Sequence, residues 1–494
     1  MTVKEKFYIT TAIDYVNASP HMGHAYEKTC ADVIARWQRL LGRDVHFLTG
    51  TDENAQKNEQ AAREAKVPVR DFVDRNSTRF EELCSKLELS NDDFIRTTQD
   101  RHVKVSRAIF QKLVDNGDIY KGFYEGYYCT GCEAFITEKD LIDNKCPEHN
   151  TKPEWLKEES YFFRMSKYTD FIIRMLEKPG FVKPDYRRKE MLNRVKSEGL
   201  RDLSVSRTNL DWGITTPNDP KHKIYVWADA LVNYISAIGY PDGREFKNYW
   251  PADVHMIGKG INWFHSVIWP SILRAAGIEM PRTILVHGYI NLGGRKMSKS
   301  AGTVIDPMKI VDKYGSDALK YFLIKEIPFG EDGDFSEEEL AARINGELLS
   351  DLGNLVSRVL TFAEKFRGKI EGRPELEKRL DIIKIRKHME NYELHFALQE
   401  IMKFVRECNR YINEREPWKL AKEKRKEEEL ADIIYNLLES LRVIAILIQP
   451  FMPVSSRKIN EQLGVPAEQP LLKDCGFREW KGKPKKGGHL FRKV

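Results

Sequence analysis

The chain of 494 residues is 41% hydrophobic and 31% charged, which is typical of soluble globular proteins and excludes a wholly disordered or low-complexity chain. Because hydrophobic cores stop growing near roughly 250–300 residues, we expect two to four domains. The 80 basic and 74 acidic side chains leave a formal charge of +6, too small an excess to identify a nucleic-acid partner. The sequence has neither a run of about 18 apolar residues nor a signal-peptide pattern, so we expect a cytosolic protein.

The first 65 residues alternate between strand and helix patterns. KFYITTAI (6–13) is a short β-branched run, a helical pattern follows from about Pro20 to Leu41, and VHFLTG (45–50) predicts the next strand. A second helical region, rich in alanine, comes after it. This βαβα order predicts parallel strands with helices on both faces.

The alternation is interrupted between Gly122 and Lys221 by short aromatic runs, turns and a cluster of cysteines, and it resumes near residue 224. From about Ser336 onward the pattern is nearly all helical. The predicted fold is therefore α/β, with a split Rossmann-like nucleotide-binding sheet, an inserted connective domain and a C-terminal all-α helical bundle. The predicted ranges are 1–115 and 223–290 for the two halves of the Rossmann catalytic domain, 116–222 for the connective domain, 291–340 for a lysine loop and linking segment, and 341–494 for the bundle.

The segment YVNASPHMGHAY predicts a phosphate-binding helix start. Ser19 suits the N-cap and Pro20 the first helical position, so His21 and His24 lie three residues apart on one face of the first turn. Two imidazoles beside the unpaired amides of a helix N-terminus can bind phosphate. Gly23 has no side chain and would let a flat ligand such as adenine lie against the helix. For this motif alone, a structural or incidental pair is the alternative.

The loop GGRKMSKSAGT (293–303) offers a second phosphate contact. Lys296 and Lys299 lie in a Gly- and Ser-rich segment, where flexible lysines can reach the outer phosphates of a triphosphate and neutralise charge on the leaving group. The alternative is a solvated basic loop. Because the chain contains no G-x-x-x-x-G-K-[ST] motif, phosphate binding of the P-loop kind is excluded.

The cysteine cluster predicts a metal site. Cys129 and Cys132 form one C-x-x-C pair, and after thirteen residues Cys146 and His149 form a C-x-x-H pair. This spacing suits one tetrahedral Cys₃His zinc site, whereas uncoordinated or disulfide-bonded thiols are the alternative. Four protein ligands leave no open position, so we expect a structural Zn²⁺ that stabilises the connective domain.

The motif pair HMGH and KMSKS resembles the signature of class I aminoacyl-tRNA synthetases, with Met22 in place of the usual Ile or Leu. The resemblance continues through YGSDALKYFL. The segments ITTAIDYVNASPHMGH, TGTDENAQK, YVWADALVNY, GKGINWFHSVIWP and VHGYINLGGRKMSKS are similar to the methionyl-tRNA synthetase family. This resemblance implies that the chain activates L-methionine with ATP and Mg²⁺ to methionyl-adenylate and pyrophosphate. It also implies transfer of methionine to the 3′-terminal ribose of tRNA(Met).

The resemblance also implies roles for individual residues. The catalytic residues would be His21, His24, Lys296 and Lys299. ATP would be bound by these four together with Gly23 and Lys259. Methionine would be bound by Ile13, Tyr15, Asp52, Trp227, Ala230, Leu231, Tyr234 and His265, and the anticodon by Asn354, Arg358, Pro417 and Trp418. An aromatic-lined pocket with few hydrogen-bond donors suits a polarisable thioether. An aromatic ring beside Asn and Arg suits the unpaired bases of an RNA loop.

Two positions depart from the family pattern. Leu231 stands where many relatives have Pro, and Gly260 stands where they usually have Asp or Glu, which puts in doubt an acidic contact to the ATP ribose. A class I synthetase for another amino acid, most plausibly cysteine, is one alternative function. A non-catalytic RNA-binding relative of a synthetase is another. A separate tRNA-binding or dimerisation subunit is a possible further partner.

Overall fold

The computed structural model of the chain describes residues 4–129, 134–136, 138–148, 150–208, 210–296, 305–465 and 470–494. Its strands in chain order are β1 (Lys6–Tyr15), β2 (Asp44–Asp52), β3 (Asp93–Arg96), β4 (Ile119–Cys129), β5 (Ala134–Ile136), β6 (Glu154–Phe163), β7 (Val182–Lys183), β8 (Leu203–Ser204), β9 (Ser206–Arg207), β10 (Lys223–Ile224), β11 (Val254–Gly258), β12 (Thr283–His287), β13 (Ile290–Leu292), β14 (Arg295–Lys296) and β15 (Gly333–Asp334).

The helices of the nucleotide-binding and connective regions are α1 (Met22–Leu40), α2 (Gln56–Glu64), α3 (Val69–Lys86), α4 (Asp100–Asp115), α5 (Thr169–Glu177), α6 (Asp185–Glu198), α7 (Val226–Ala230), α8 (Asn233–Ser236), α9 (Arg244–Tyr249) and α10 (Trp269–Ala275). Those that follow are α11 (Pro307–Tyr314), α12 (Ser316–Glu326), α13 (Glu337–Arg343), α14 (Asn354–Lys365), α15 (Ile382–Glu390), α16 (Leu394–Arg415), α17 (Pro417–Leu420), α18 (Glu427–Ile448) and α19 (Pro453–Leu463). Within the described part of the chain, none of them combines the length and hydropathy that a membrane span requires.

The central sheet is parallel, with the described strands in the order β3-β2-β1-β11-β12-β7. At its centre, Ile9 of β1 lies opposite Phe47 of β2 on one side and Val254 of β11 on the other. Strands from before and after the insertion therefore share one sheet, which confirms the predicted split parallel architecture. Because the strand order reverses beside β1, a crevice opens at the carboxyl ends of β1 and β11.

The region between the two halves of the sheet forms a smaller antiparallel sheet with the described strands in the order β5-β4-β6-β8. The long β4 and β6 pair along their length, from Ile119 opposite Phe163 to Tyr128 opposite Glu154. The short β7 also lies within the predicted connective range 116–222, but it pairs with β12 at the edge of the central sheet. This range therefore supplies both the smaller sheet and one edge of the nucleotide-binding sheet.

The C-terminal region is helical, as predicted. Helix α18 is buried on every face from Leu430 to Ile448, because Leu, Ile and Val occur all around its circumference. Helix α12 packs against both α1 of the nucleotide-binding region and α16 of the bundle. One continuous apolar core consequently includes Trp37 of α1, Leu323 of α12 and Leu441 of α18.

A buried ion pair crosses this junction. The Lys320 ammonium of α12 donates to Asp32 Oδ2 of α1 at 2.8 Å, and both side chains are fully buried. Asp32 also accepts from Arg36 and from the backbone N–H of Ser90. Burial alone would raise the pKa of Asp32, but the charges of Lys320 and Arg36 lower it to about 2.

We predict that Lys320→Met destabilises the protein by about 3–5 kcal/mol, because it leaves the buried Asp32 carboxylate without its main counter-charge. Urea unfolding at pH 7 measures the difference. The matched control is Lys325→Met on the same helix, where the side chain is only partly buried. Equal free energies of unfolding for the two variants would contradict the prediction.

Candidate functional site

A cavity of about 1110 Å³ opens at the carboxyl ends of β1, β2 and β11. The connective region also contributes to the cavity wall, through Tyr128, Asn150 and Glu154. Most of the predicted ligand-binding residues line this cavity: Ile13, Tyr15, His21, His24, Asp52, Trp227, Ala230, Leu231, Tyr234 and His265. The structure therefore brings together residues that are up to 252 positions apart in the sequence, Ile13 and His265 being the extremes.

The start of α1 differs from the prediction by two residues. The predicted N-cap Ser19 instead accepts a hydrogen bond from Arg79, and the helix begins at Met22 with His21 as its cap. The His21 Nδ1 accepts from the Gly23 backbone N–H at 3.1 Å, and the His24 Nδ1 accepts from the His21 backbone N–H at 3.0 Å. These reciprocal bonds form a capping box made of imidazoles.

This cap determines where each imidazole carries its proton. In both His21 and His24 the Nδ1 accepts a backbone hydrogen, so a neutral ring holds its proton on Nε2. Burial, assisted by nearby positive charge such as that of Lys28, lowers the pKa of each ring to about 3. The rings stack with centroids 3.7 Å apart. The cap therefore yields two adjacent, uncharged Nε2–H donors at the cavity wall. The backbone N–H groups of Gly23 and His21 are not available to a ligand, because they donate to the two imidazoles.

Gly23 is required by the cap itself. A Cβ atom at this position would lie 2.9 Å from Cε1 and 3.1 Å from Nδ1 of His21, which is closer than van der Waals contact. Any larger residue would push the His21 ring out of its hydrogen bond with the helix. Close packing of a flat ligand against Gly23 stays a prediction.

Beneath the cap lies a buried ion pair. The Lys28 ammonium donates to Asp14 Oδ2, and Asp14 Oδ1 lies 3.8 Å from the His24 Nε2. Burial raises the pKa of Asp14, and the Lys28 charge opposes that increase. A positive charge therefore lies one turn of α1 beyond His24, and the Asp14 carboxylate shields it.

The predicted methionine pocket has an aromatic wall. The Trp227 and Phe264 rings stack with centroids 3.7 Å apart and planes 14° apart, and Tyr15 meets Trp227 edge-on at 6.2 Å. The Tyr234 hydroxyl lies 2.7 Å from His265 Nε2, and His265 Nδ1 lies 3.0 Å from the Ile261 carbonyl.

These bonds also assign the His265 tautomer. The Ile261 carbonyl can only accept, so His265 carries its proton on Nδ1, and its Nε2 accepts from the Tyr234 hydroxyl. Burial lowers the pKa of His265 to about 4. Because the His265 imidazole and the Tyr234 hydroxyl are hydrogen-bonded to each other, a ligand at this wall does not need to form hydrogen bonds with them.

A buried carboxylate that the sequence analysis did not identify holds the pocket wall. Asp229 of α7 is fully buried and accepts from Ser106 Oγ at 2.6 Å, His102 Nε2 at 2.8 Å and Asn54 Nδ2 at 2.8 Å. The partners come from α4 and from the segment after β2 that follows Asp52. This network fixes α7, which carries Trp227 and Ala230, relative to Asp52. An acidic residue inside the apolar run YVWADALVNY was the available signal.

Other residues of the cavity were also missed. Glu27 and Tyr289 line it, as does Lys57, whose ammonium lies 3.3 Å above the Tyr15 ring. Phe264 supplies the stacking partner of Trp227 and lies in a π-helical turn (Phe264–Ile268), a local geometry that is frequent at functional sites. These contacts arise from long-range packing, which no local motif encodes.

The predicted lysines have different positions. The Lys259 ammonium donates to Asp332 Oδ2 at 2.7 Å and does not belong to the cavity lining, although the neighbouring Gly258 and Gly260 do. Lys296 ends β14, and its side chain lies outside the description. Lys299 lies outside the described residues.

Two of the four predicted zinc ligands lie within the described residues. Cys129 and Cys146 are both buried, with 1% of their surface exposed. Thr151 connects them: its carbonyl accepts from the Cys146 N–H at 2.9 Å and its hydroxyl lies 4.0 Å from the Cys129 sulfur. Cys132 and His149 lie outside the described residues. Two buried cysteines that both contact Thr151 fit the soft donor set that zinc prefers.

A second group of potential ligands consists of Glu159, Asp219 and His222, whose ligand atoms lie within 4.8 Å of one another. The Lys121 ammonium lies 2.8 Å from Glu159 and 2.9 Å from Asp219. The lysine already supplies the positive charge that the carboxylates require. We therefore interpret this group as an ion-pair network.

The predicted anticodon residues lie on α14 and α17, two helices that both pack against α18. Asn354 begins α14, and Arg358 one turn later donates from Nη2 to Asn413 Oδ1 at 2.8 Å. Asn413 lies four residues before Pro417, so this bond draws α14 toward the junction of α16 and α17. Pro417 is buried, whereas Trp418 is 39% exposed. An exposed indole next to polar side chains is accessible to an RNA base.

Comparison with known proteins agrees with this architecture. Residues 7–152 and 136–360 match the family described as tRNA synthetases class I (M), and residues 377–474 match the anticodon-binding domain of tRNA ligase. The chain is 48% identical over 476 residues to the methionine–tRNA ligase of Caldanaerobacter subterraneus subsp. tengcongensis, covering 94% of this chain and 74% of the relative. It is 46% identical over 486 residues to that of Rickettsia felis, covering 95% and 94%.

The chain belongs to the class I methionyl-tRNA synthetase family. Solved structures of this family agree over the whole length. Mycobacterium tuberculosis methionyl-tRNA synthetase in complex with methionyl-adenylate has a TM-score of 0.93 at 39% identity, covering 99% of both chains. The ligand-free form of the same enzyme has a TM-score of 0.86 at 37% identity, covering 100% of this chain and 99% of that one.

We predict that the histidine cap makes the protein less stable in acid. An unfolded histidine binds a proton below pH 6.5, whereas folded His21 does so only near pH 3, so the free energy of unfolding falls as pH decreases through this window. His21→Asn keeps an acceptor for the Gly23 N–H but removes the proton uptake. Its free energy of unfolding should therefore fall less steeply, by up to about 1.4 kcal/mol per pH unit. Urea unfolding between pH 7 and pH 4.5 measures both slopes, and identical slopes would contradict the prediction.

Proposed function

We propose that this chain is a methionine–tRNA ligase that activates L-methionine with ATP and then transfers it to the 3′-terminal ribose of tRNA(Met). One observation carries the proposal: a single cavity joins a pair of neutral imidazole donors at a helix start to an aromatic pocket beside the Asp52 carboxylate. Phosphate and an apolar amino acid would meet there, as adenylate formation requires. Membership of the methionyl-tRNA synthetase family supports the same reaction.

In the first step, a carboxylate oxygen of methionine attacks the α-phosphorus of ATP, and the bond from that phosphorus to the pyrophosphate oxygen breaks. The Nε2–H groups of His21 and His24 donate to the α-phosphate oxygens, where negative charge develops. Because both rings are neutral, they supply this stabilisation without exchanging a proton. Mg²⁺ bound with ATP neutralises charge on the outer phosphates. Lys296 and Lys299 would contact the departing pyrophosphate, and Lys259 would bind ATP after leaving Asp332.

The aromatic pocket is proposed to bind methionine. Asp52, only 2% exposed at the end of β2, would pair with the ammonium group. Trp227 would cover the side chain, while the mutually satisfied Tyr234 and His265 would contact the thioether. Ile13, Tyr15, Ala230 and Leu231 complete the lining. Leu231 is buried, with 1% of its surface exposed.

The second substrate is tRNA(Met), which the helical bundle is proposed to recognise through its anticodon. Exposed Trp418 would stack on an unpaired base, and Asn354 and Arg358 would donate to base edges. Pro417 would hold the indole at the start of α17. The ranges 1–115, 116–222, 223–290, 291–340 and 341–494 are our proposed functional divisions of the chain.

Methionine-dependent exchange of pyrophosphate into ATP tests the proposal. The unaltered chain should catalyse exchange with methionine and not with cysteine. His24→Asn keeps an acceptor for the His21 N–H but loses the Nε2–H donor, so we predict a decrease in kcat by about 10²–10³-fold. His388→Asn, at a partly buried histidine of the bundle that pairs with Glu393, should keep full activity. Exchange with another amino acid, or none at all, would disprove the assignment.

We further propose that Cys129, Cys132, Cys146 and His149 bind one structural Zn²⁺. Purified protein should contain about one zinc per chain by elemental analysis. Cys146→Ser should abolish the metal and lower the Tm, because a structural zinc contributes directly to folding. Cys84→Ser, at a buried cysteine of α3, serves as the control and should retain zinc. Full zinc content in Cys146→Ser would refute the ligand set.

A further inference from the structure

The side-chain space of Gly260 is filled by another residue. A Cβ atom built on Gly260 would lie 2.3 Å from the Tyr289 hydroxyl oxygen and 3.4 Å from Cζ of the same ring. Both residues line the cavity that contains His21 and His24. The phenol hydroxyl of Tyr289 therefore stands where the side chain of residue 260 would otherwise project.

Tyr289 is held from two directions. Its backbone N–H donates to Asp332 Oδ1 at 2.9 Å, and the Lys259 ammonium lies 4.5 Å from the centre of its ring. Lys259 and Asp332 are themselves joined by a 2.7 Å ion pair. Lys259 covers one face of the ring before ATP binds, and the Asp332 bond to the Tyr289 backbone does not depend on Lys259. This backbone bond gives the hydroxyl a defined position at the cavity wall.

The same cavity is lined by a buried carboxylate, Glu27, that contacts the segment carrying Tyr289. Glu27 follows His24 by one turn of α1 and is only 6% exposed. Its Oε2 lies 2.9 Å from the Nε2 of His287, which precedes Tyr289 by two residues. Its Oε1 is buried and makes no hydrogen bond to any described group, although Glu27 lines the cavity. A buried carboxylate oxygen that faces a cavity without a donor can accept from a ligand hydroxyl or amine.

We propose that the Tyr289 hydroxyl, in the side-chain space of Gly260, binds a ribose hydroxyl of ATP. This inference rests on the proposed function. In the proposed function the imidazoles bind the phosphates and the aromatic pocket binds methionine. The polar part of the cavity that remains, near Gly260 and Tyr289, is then available to the nucleoside. A ribose presents two neighbouring hydroxyls, each able to donate and to accept. A phenol that does both, in the same cavity as the accepting Oε1 of Glu27, matches that pair.

Kinetics with ATP, 2′-deoxy-ATP and 3′-deoxy-ATP in the methionine-dependent exchange reaction test the inference. The unaltered chain should prefer ATP, and Tyr289→Phe should reduce its preference over one deoxy analogue by about three- to tenfold, the value of one neutral hydrogen bond. The KM for ATP should rise while the KM for methionine stays the same. Tyr314→Phe, which removes a hydroxyl that donates to Glu337 outside the cavity, is the matched control and should keep the full preference.

Gly260→Ala provides a second, independent variant. Alone it displaces the hydroxyl and should resemble Tyr289→Phe. In the double variant with Tyr289→Phe, the alanine Cβ contacts only the ring, with Cζ at 3.4 Å. The second substitution should therefore reduce the preference for ATP little further. Gly260→Asp combined with Tyr289→Phe should restore the preference for ribose, because a carboxylate then occupies the position of the lost hydroxyl.

The outcomes separate the two proposals. If Tyr289→Phe exchanges with methionine but keeps the full preference against both analogues, the ribose contact is wrong and the proposed function stands. Equal losses with all three nucleotides mean that Tyr289 has only a structural role, and they overturn the inference too. Absence of exchange in the unaltered chain overturns both.

Discussion

The pair of hydrogen bonds between two imidazoles and two backbone amides at the start of α1 is the constraint on which the rest of the site depends. It fixes the position of both rings, the nitrogen that carries the proton and, through burial, their neutral charge state. It also requires glycine at position 23. A helix start that would ordinarily offer its amides to an anion here uses them to orient side-chain donors. The donors therefore project further into the cleft than backbone groups can reach.

In the proposed methionine pocket, too, polar groups satisfy one another. Tyr234 and His265 form a closed pair, and Asp229 uses its oxygens to join three segments of chain. Neither arrangement contacts the reacting atoms by itself. Both restrict the conformations of neighbouring side chains that line the cavity, so the cavity is preorganised before any substrate enters.

The strands and the long helices could be predicted from the sequence because their apolar periodicity is local: β1 and β2 extend only slightly beyond the predicted 6–13 and 45–50. The N-cap at Ser19 was wrong because cap preferences describe hydroxyl and carboxylate acceptors, whereas here an imidazole nitrogen two residues later competes successfully. Motif resemblance identified ten of the residues that line the cavity. It did not reveal Asp229 or the relation between Gly260 and Tyr289, since each depends on atoms that only the folded chain brings together.

The shared core that runs through α12 has a mechanical consequence. Trp37, Leu323 and Leu441 belong to one apolar core. A hinge motion between the sheet and the bundle would therefore expose apolar side chains to water and separate the buried Lys320–Asp32 ion pair. The two regions should tilt as a unit rather than swing against each other. Binding of an anticodon would then have to affect the reaction centre through small distortions of this rigid unit, or through the bound RNA. Closure of one domain onto the other would not be available.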